Sequence, residues 1–256
     1  MMEKLIEVLS RLYLMPGAVT PDALAQQLLG KQAVTLPADA GGRVRALALP
    51  FERRRPAGET EHWQHLCEVA NALQTELGLP APAVSIPGDH GYRLWLSFAT
   101  PLPLARAQRL LDLLRLAYFP DSERTVDAAA PLALPPYLDT RSGKWAAFIN
   151  PGMGASFAEE AGLEMAPPFG GQAALLEGLE SIDEAQLAHA LALLEATHGA
   201  PTDAAPTPAH APAPAAAVDA PVTPDGLLLK DATLEDIVRF LHTRNIEPTF
   251  RYVMPH

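Results

Sequence analysis

One stretch of the chain, residues 83–119, constrains the fold more than any other. It opens with the apolar run Ala83–Ile86, which is typical of a buried strand, and five turn-forming residues, 87–91, follow it. Residues 92–98 then alternate between two sets of side chains, as in a half-buried strand, and from Pro103 leucines and alanines recur at helical spacing. A strand pair that leads into an amphipathic helix predicts an antiparallel sheet with a helix on one face.

The alternation in residues 92–98 assigns their side chains to the two faces of that sheet. The apolar face carries Tyr92, Leu94, Leu96 and Phe98. The opposite face carries Arg93, Trp95 and Ser97. Since only the apolar face needs a helix against it, the sequence predicts that the face with Arg93 and Trp95 is free to bind something.

Length and composition limit the class of protein. At 256 residues and 48% hydrophobic content, the chain can bury one sizeable core with a small appendage. No apolar run approaches the length of a membrane span, and the charged, amphipathic N-terminus is unlike a signal peptide. The single cysteine, Cys67, excludes an internal disulfide framework. We therefore expect a cytoplasmic protein that does not bind membranes.

The charges are unevenly distributed along the chain. Residues 1–150 carry 15 basic and 15 acidic side chains, residues 151–200 carry eight acids and no base, and residues 201–256 carry seven acids against four bases. The net charge of −11 therefore comes from the C-terminal part. Because such a chain repels phosphate backbones at long range, any nucleic-acid site must be a local cleft rather than a basic face.

Residues 1–199 are predicted to form the main domain, of the α+β class. A small N-terminal αβ unit comes first, with a helix over residues 3–14 and a second helix capped by Thr20. A strand is expected at 43–51, a helix at 61–77 and a further strand at 144–149. Ser181, followed three residues later by Glu184, predicts a capping box for a last helix that ends near residue 196.

The composition changes sharply after this domain. Residues 200–226 consist mainly of alanine and proline, which cannot build a packed core and which predict a flexible linker. Residues 227–256 regain an apolar helical pattern, although some 30 residues cannot bury these groups alone. We therefore expect 227–256 to be a tethered docking element that binds the main body, or a protein partner through residues 231–253.

The densest basic run in the chain, Arg53–Arg55, comes directly after the strand at 43–51. Three consecutive charges most often form a solvated loop. They could also contact phosphate at the edge of a sheet, and both interpretations stay open.

Three stretches together resemble the archaeo-eukaryotic primase superfamily, and the primase-like domains of TOTE conflict systems in particular. The first combines residues 25–36 with the strand that ends Leu49-Pro-Phe-Glu52; the second is Gly88-Asp-His-Gly-Tyr-Arg-Leu-Trp-Leu-Ser-Phe98 and its leucine-rich helix; the third is 132–151, with Arg141-Ser-Gly-Lys144. The resemblance covers about residues 20–197. It implies a primase-polymerase fold, with an RRM-like antiparallel sheet and helices packed on one face.

The resemblance also identifies where this chain departs from the superfamily. Members use three carboxylates to hold two divalent ions, and a histidine to contact the incoming nucleotide. The positions similar to the carboxylate pair are Pro50 and Glu52, the position similar to the histidine is Arg93, and Asp127 is the candidate for the third acid. Because proline has no side-chain ligand, the resemblance implies a degenerate catalytic site, with Glu52 and Asp127 as the remaining metal-ligand candidates.

Three functions remain open at this point. The first is a catalytically degenerate primase-polymerase-like subunit that needs no cofactor and that binds single-stranded or primer-template nucleic acid, scaffolds a partner protein, or does both, in a replication, repair or mobile-element/defence complex. The second is an active primase or polymerase with a displaced Mg²⁺ or Mn²⁺ site formed by Glu52, Asp127 and Asp89. The third is a pure protein-interaction module. The candidate nucleic-acid contacts are Arg45, Arg53, Arg54, Arg55, Arg93 and Trp95.

Overall fold

The computed structural model describes residues 1–32, 35–36, 41–52, 61–120, 125–159 and 161–198. The basic run at 53–55, the alanine- and proline-rich linker at 200–226 and the C-terminal element at 227–256 lie outside these ranges, so the expectations about them stay predictions. Among the helices described, none combines the length and the apolar character that crossing a membrane requires.

The chain alternates helices and strands, as expected for an α+β protein. The helices are α1 (Met2–Tyr13), α2 (Pro21–Leu28), α3 (Glu61–Thr75), α4 (Leu104–Tyr118), α5 (Phe169–Glu177) and α6 (Glu184–His198), with a 3₁₀ helix at Pro151–Phe157. The strands are β1 (Thr35–Leu36), β2 (Arg43–Phe51), β3 (Ala83–Ile86), β4 (Tyr92–Pro103), β5 (Leu132–Ala133), β6 (Tyr137–Leu138) and β7 (Trp145–Ile149).

Five of these strands form one antiparallel sheet in the order β2-β4-β3-β7-β6, and β1 pairs with β5 separately. The predicted pair of strands around the turn at 87–91 is present as β3 and β4, and α4 follows directly. Proline-rich segment 132–137 contributes only two-residue strands, because proline cannot donate to a central ladder.

The first face of the sheet carries the larger part of the core. Helices α3 and α4 pack there against side chains of β2 and β4 that include Leu47, Leu49, Leu94 and Leu96, and α6 packs on α4. The predicted apolar stripe of α4 is buried on this face. The amphipathic pattern therefore identified both the helix and the side of the sheet that it covers.

The second face is also covered, so the prediction that helices pack on one face only is wrong. Helices α1, α2 and α5 pack on it, and Leu5, Leu9 and Leu12 of α1 are fully buried. Two physical causes act together. The apolar stripe of α1 must be buried somewhere, and the small side chains of Ala46 and Ala48 allow the helix to approach the sheet closely.

The N-terminal helices are therefore packed on the second face of the main sheet and do not form a separate αβ unit. Helix α1 packs on α5, β2 and β4. The guanidinium of Arg11 donates hydrogen bonds to the carbonyl oxygens of Leu176, Glu177 and Leu179 at the C-terminal end of α5, where carbonyl groups lack helical partners. Lys4 adds an exposed ion pair to Glu177, with 2.8 Å between Nζ and Oε1.

Candidate functional site

A cleft of about 780 Å³ lies beside β2, at one edge of the five-stranded sheet, and residues of both sheet faces line it. This volume lies within the usual range for small-ligand sites. Its charged and titratable lining residues are Glu52, Asp89, His90, Tyr92, Arg93, Asp127 and Glu159. Its apolar lining includes Leu47, Pro50, Leu111, Val126, Pro131 and Leu132.

The structure brings the positions singled out by the superfamily resemblance into this one cleft. Pro50 and Glu52 come from β2 and its end, Arg93 from β4, and Asp127 from the loop after α4. Asp89, on the turn between β3 and β4, lines the same space. Residues that are up to 77 positions apart in the sequence therefore line the same cleft.

The turn that shapes one side of the cleft depends on two glycines. Gly88 and Gly91 have φ angles of 89° and 74°, in the left-handed region that favours glycine. A Cβ atom on Gly91 would collide with the carbonyl oxygen of Phe51, so only glycine allows this close approach of the turn to β2. The turn is held further by Gly88 N, which donates to the Ala161 oxygen at 2.8 Å.

Two glutamine side chains fix loop segments that line the cleft. Gln108 of α4 donates to the carbonyl oxygen of Val126 at 3.0 Å and accepts from the Ala128 amide at 2.8 Å, which holds the loop that carries Asp127. Gln27 of α2 is fully buried and donates to the carbonyl oxygen of Leu134 at 2.6 Å, which holds the segment that follows Pro131 and Leu132. The walls are therefore tied to helices rather than formed by free loops.

Arg93 is half-buried and faces the cleft beside Pro50, its direct partner across β2 and β4. Within the ranges that the structure describes, its guanidinium makes no hydrogen bond or ion pair. Burial raises the pKa of Tyr137, and the positive charges of Arg93 and Arg141 oppose that rise, so both guanidinium groups lie within electrostatic reach of this phenol. Arg93 is thus a donor group with unused capacity inside the cleft.

Most acidic groups around the cleft already have partners. Asp89 Oδ2 accepts from Arg141 Nη2 at 2.9 Å, and its Oδ1 accepts from the His90 amide at 2.7 Å. Asp127 Oδ1 accepts from the Ala129 amide at 2.7 Å. Glu52 and Glu159 are exposed at the rim, and Glu52 also has a partner.

These residues do not fit the two-metal site that the resemblance implies. Pro50 has no side-chain oxygen, and oxygens of Asp89 and Asp127 accept hydrogen bonds from groups that would compete with a metal. Among the residues described, no three His, Cys, Asp or Glu side chains are grouped so that they could hold an ion. We therefore derive no chemistry through a bound metal.

Two of the predicted nucleic-acid contacts lie outside the cleft. Trp95 is 1% exposed under α1, where its ring is 5.4 Å from that of Tyr13 and its Nε1 donates to Ser85 Oγ at 2.8 Å, so it cannot stack on a base. Arg45 occupies the irregularity between Val44 and Ala46, and its Nη2 donates to the Arg11 carbonyl oxygen at 2.8 Å, at the C-terminal end of α1. Arg53, Arg54 and Arg55 lie outside the described residues.

Sequence reasoning missed four polar residues in or beside the cleft. They are His90, Tyr137, Arg141 and Glu159. Tyr137 donates to the carbonyl oxygen of Pro87 at 2.9 Å and so joins β6 to the turn at 87–91. The only available signal was the stretch Arg141-Ser-Gly-Lys144, which supported the family resemblance but gave no contact to Asp89.

Comparison with known proteins gives little further identification. No protein-family model matches the chain, and no curated protein matches it. One solved structure that it is similar to is the AEP domain of the primase-polymerase of cyanophage S-2L, with 17% sequence identity and a TM-score of 0.32, over 56% of this chain and 68% of that one. This similarity is weak and concerns the fold alone.

Proposed function

We propose that this chain is a catalytically degenerate primase-polymerase-like protein that binds nucleic acid through the cleft. The observation that carries the proposal is Arg93, a half-buried guanidinium in the lining of a cleft of about 780 Å³ that makes no hydrogen bond or ion pair with the residues that the structure describes. A partly desolvated guanidinium without a partner is unfavourable, and a phosphate group satisfies it with two parallel hydrogen bonds.

The charge balance around Arg93 defines the mode of binding. Glu52, Asp127 and Glu159 line the cleft together with Arg93, and the chain as a whole carries a net charge of −11. Long-range attraction therefore cannot supply the affinity, and contacts inside the cleft must do so. We expect modest affinity for single strands, whose backbone can enter a cleft more easily than a duplex can.

The surroundings of Arg93 also support the proposal that the catalytic metal site is degenerate. The residue across from Arg93 is Pro50, which has no side-chain ligand, and Asp89 and Asp127 are engaged with protein donors. One observation favours the alternative function, an active primase or polymerase with a displaced metal site: Glu52, Asp89 and Asp127 line a single cleft. Primer extension with Mg²⁺ or Mn²⁺ separates the two functions, because only the active alternative would extend a primer.

The direct test is binding of labelled single-stranded DNA and RNA to the full chain, followed by fluorescence anisotropy at several salt concentrations. Replacing Arg93 with Ala should weaken binding by about 1–3 kcal/mol, the usual cost of losing a charge-assisted contact. The matched control is Arg109→Ala, because Arg109 is an arginine of α4 in an exposed ion pair with Glu195, 3.1 Å between Nε and Oε1.

The control should bind as the parent does. Equal binding by the parent and the Arg93→Ala variant at every salt concentration would show that Arg93 is only a surface residue. That result would overturn the proposal that the cleft binds nucleic acid through Arg93.

A further inference from the structure

A second guanidinium, that of Arg141, forms an ion pair with Asp89, which is one of the residues that line the same cleft. Its side chain is 79% exposed, and its Nη2 is 2.9 Å from Oδ2 of Asp89, whose own side chain is 35% exposed. Asp89 and Arg93 both line the cleft, and Arg141 is joined to this lining through its ion pair with Asp89. Arg141 Nε also lies 3.8 Å from Asp139 Oδ1. Both guanidinium charges act on the phenol of Tyr137, which agrees with this proximity.

The backbone on both sides of this ion pair is fixed by other contacts. On the Arg141 side, Asp139 accepts from the Arg141 amide at 3.1 Å and from the Ser142 hydroxyl at 3.0 Å. On the Asp89 side, Tyr137 and the Ala161 carbonyl hold the turn at 87–91. The Asp89–Arg141 pair can therefore open without loss of either turn, and exposed ion pairs contribute little to stability.

We propose that Arg141 is a second phosphate contact of the cleft, and that Asp89 occupies its guanidinium until a ligand phosphate displaces the carboxylate. The inference rests on the proposed function, because Arg93 supplies the first contact. It adds the class of ligand: one guanidinium in the lining and a second one paired with a lining carboxylate fit a run of consecutive phosphates better than a single phosphate.

A run of phosphates can belong to a nucleic-acid strand or to a nucleoside triphosphate. Separate binding measurements with a single-stranded oligonucleotide, a nucleoside triphosphate and the matching monophosphate distinguish these sources. If Arg141 engages a second phosphate, then Arg141→Gln weakens binding of the strand or of the triphosphate, whereas binding of the monophosphate stays unchanged.

The sharpest test compares the two partners of the ion pair in the full chain. Arg141→Gln should weaken binding of the multi-phosphate probe about fivefold, whereas Asp89→Asn should tighten it about threefold because the competing carboxylate is gone. A purely structural pair would give the same direction for both substitutions. Arg141→Gln should also lower the salt dependence of strand binding by roughly one phosphate contact, and a structural role would leave it unchanged.

The matched control is the exposed pair Arg109–Glu195, whose variants Arg109→Gln and Glu195→Gln should leave binding as in the parent. Thermal unfolding of every variant checks that each is folded. If strand binding depends on Arg93 but the Asp89 and Arg141 variants change in the same direction or not at all, this inference is overturned while the proposed function stands. If the parent binds none of the probes, both are overturned.

Discussion

Pro50 on β2 and Arg93 on β4 are direct partners in the antiparallel register, and Arg93 also pairs with Ser85 on β3. The neighbouring row of the same face consists of Ala48, Trp95 and Ala83, and it is buried under α1. Trp95, which belongs to the core, and Arg93, which lines the cleft, are therefore two residues apart on the same face of β4. On this face of the sheet, the row of Pro50 and Arg93 lines the cleft, whereas the neighbouring row is buried under a helix.

The first prediction concerns Trp95, which is expected to be a core residue and not a ligand contact. Trp95→Ala should lower the free energy of unfolding by about 3–5 kcal/mol, because it leaves a large cavity beneath Tyr13 and Phe148. Trp95→Phe retains most of the packing but removes the donor to the buried Ser85 hydroxyl, at a cost of about 1–3 kcal/mol. Urea unfolding measures both values.

Strand binding provides the control for Trp95. The Trp95→Phe variant, where folded, should bind single strands as the parent does. If it lost binding to the extent expected for Arg93→Ala, the prediction that Trp95 contacts nucleic acid would have to be restored.

The second prediction compares two glycines with the same backbone conformation and different surroundings. Gly91 and Gly143 have φ angles of 74° and 72°. A Cβ atom on Gly143 meets nothing within 4 Å, whereas one on Gly91 collides with the Phe51 carbonyl oxygen and lies 3.1 Å from Glu52 Cα. Gly143→Ala should therefore cost about 1 kcal/mol for the left-handed conformation alone.

Gly91→Ala should lower the free energy of unfolding clearly more than Gly143→Ala does, because the turn and the end of β2 must move apart. The same separation displaces Glu52 and Arg93 relative to each other, so we expect strand binding to fall as well. Chemical unfolding and binding of the two variants are measured side by side. Equal destabilisation by both substitutions would contradict the close approach seen at Gly91.

The third prediction concerns the pH dependence of stability at Asp139. Burial alone would raise the pKa of this carboxyl group, but hydrogen bonds from the Arg141 amide and the Ser142 hydroxyl and the charge of Arg141 hold the pKa below its ordinary value of 3.8. A lowered pKa in the folded state means that the ionised carboxylate stabilises the fold above the ordinary pKa. That contribution is lost as the pH falls through the lower, folded value.

Asp139→Asn should therefore be less stable than the parent at neutral pH, and the difference should shrink in acid, below about pH 4. The measurement is the free energy of unfolding of both proteins in urea across that range. A difference that stayed constant with pH would show that ionisation of Asp139 does not contribute. Ser142→Ala, which removes only one of the donors, should give a smaller effect in the same direction.

Local patterns predicted much of the fold. The alternation at 92–98, the helical spacing after Pro103 and the cap at Thr20 all correspond to observed elements, and Thr20 Oγ1 accepts from the Ala23 amide at 3.2 Å. Each of these signals lies within one short segment. The superfamily resemblance also selected Pro50, Glu52, Arg93 and Asp127, which share one cleft although they come from three parts of the chain.

The errors arose where distant segments compete for the same surface. The stripe of α1 is clearly amphipathic, but nothing in its sequence states that it covers Trp95. Ser181 was expected to cap α6, yet it pairs with Ser97, and Asp183 forms the capping box with Gln186 instead. Helix α5 was missed because Gly170 and Gly171 oppose a helix in isolation, whereas Gln172 is held by both backbone groups of Phe148.

The last prediction is that the chain alone does not polymerise nucleotides. Phosphoryl transfer depends on positioning and charge neutralisation by metal ions, and little rate enhancement remains when the ions are not held. Pro50 has no ligand oxygen, and the hydrogen bonds to Asp89 and Asp127 occupy oxygens that a displaced site would need. Primer-extension and de novo primer-synthesis assays, first with Mg²⁺ and then with Mn²⁺, should show no product above the protein-free control.

The decisive comparison is the Glu52→Ala variant, measured beside the parent and the Arg109→Ala control. Template-dependent extension by the parent that disappeared only in the Glu52→Ala variant would replace the degenerate function with an active enzyme whose metal site is displaced.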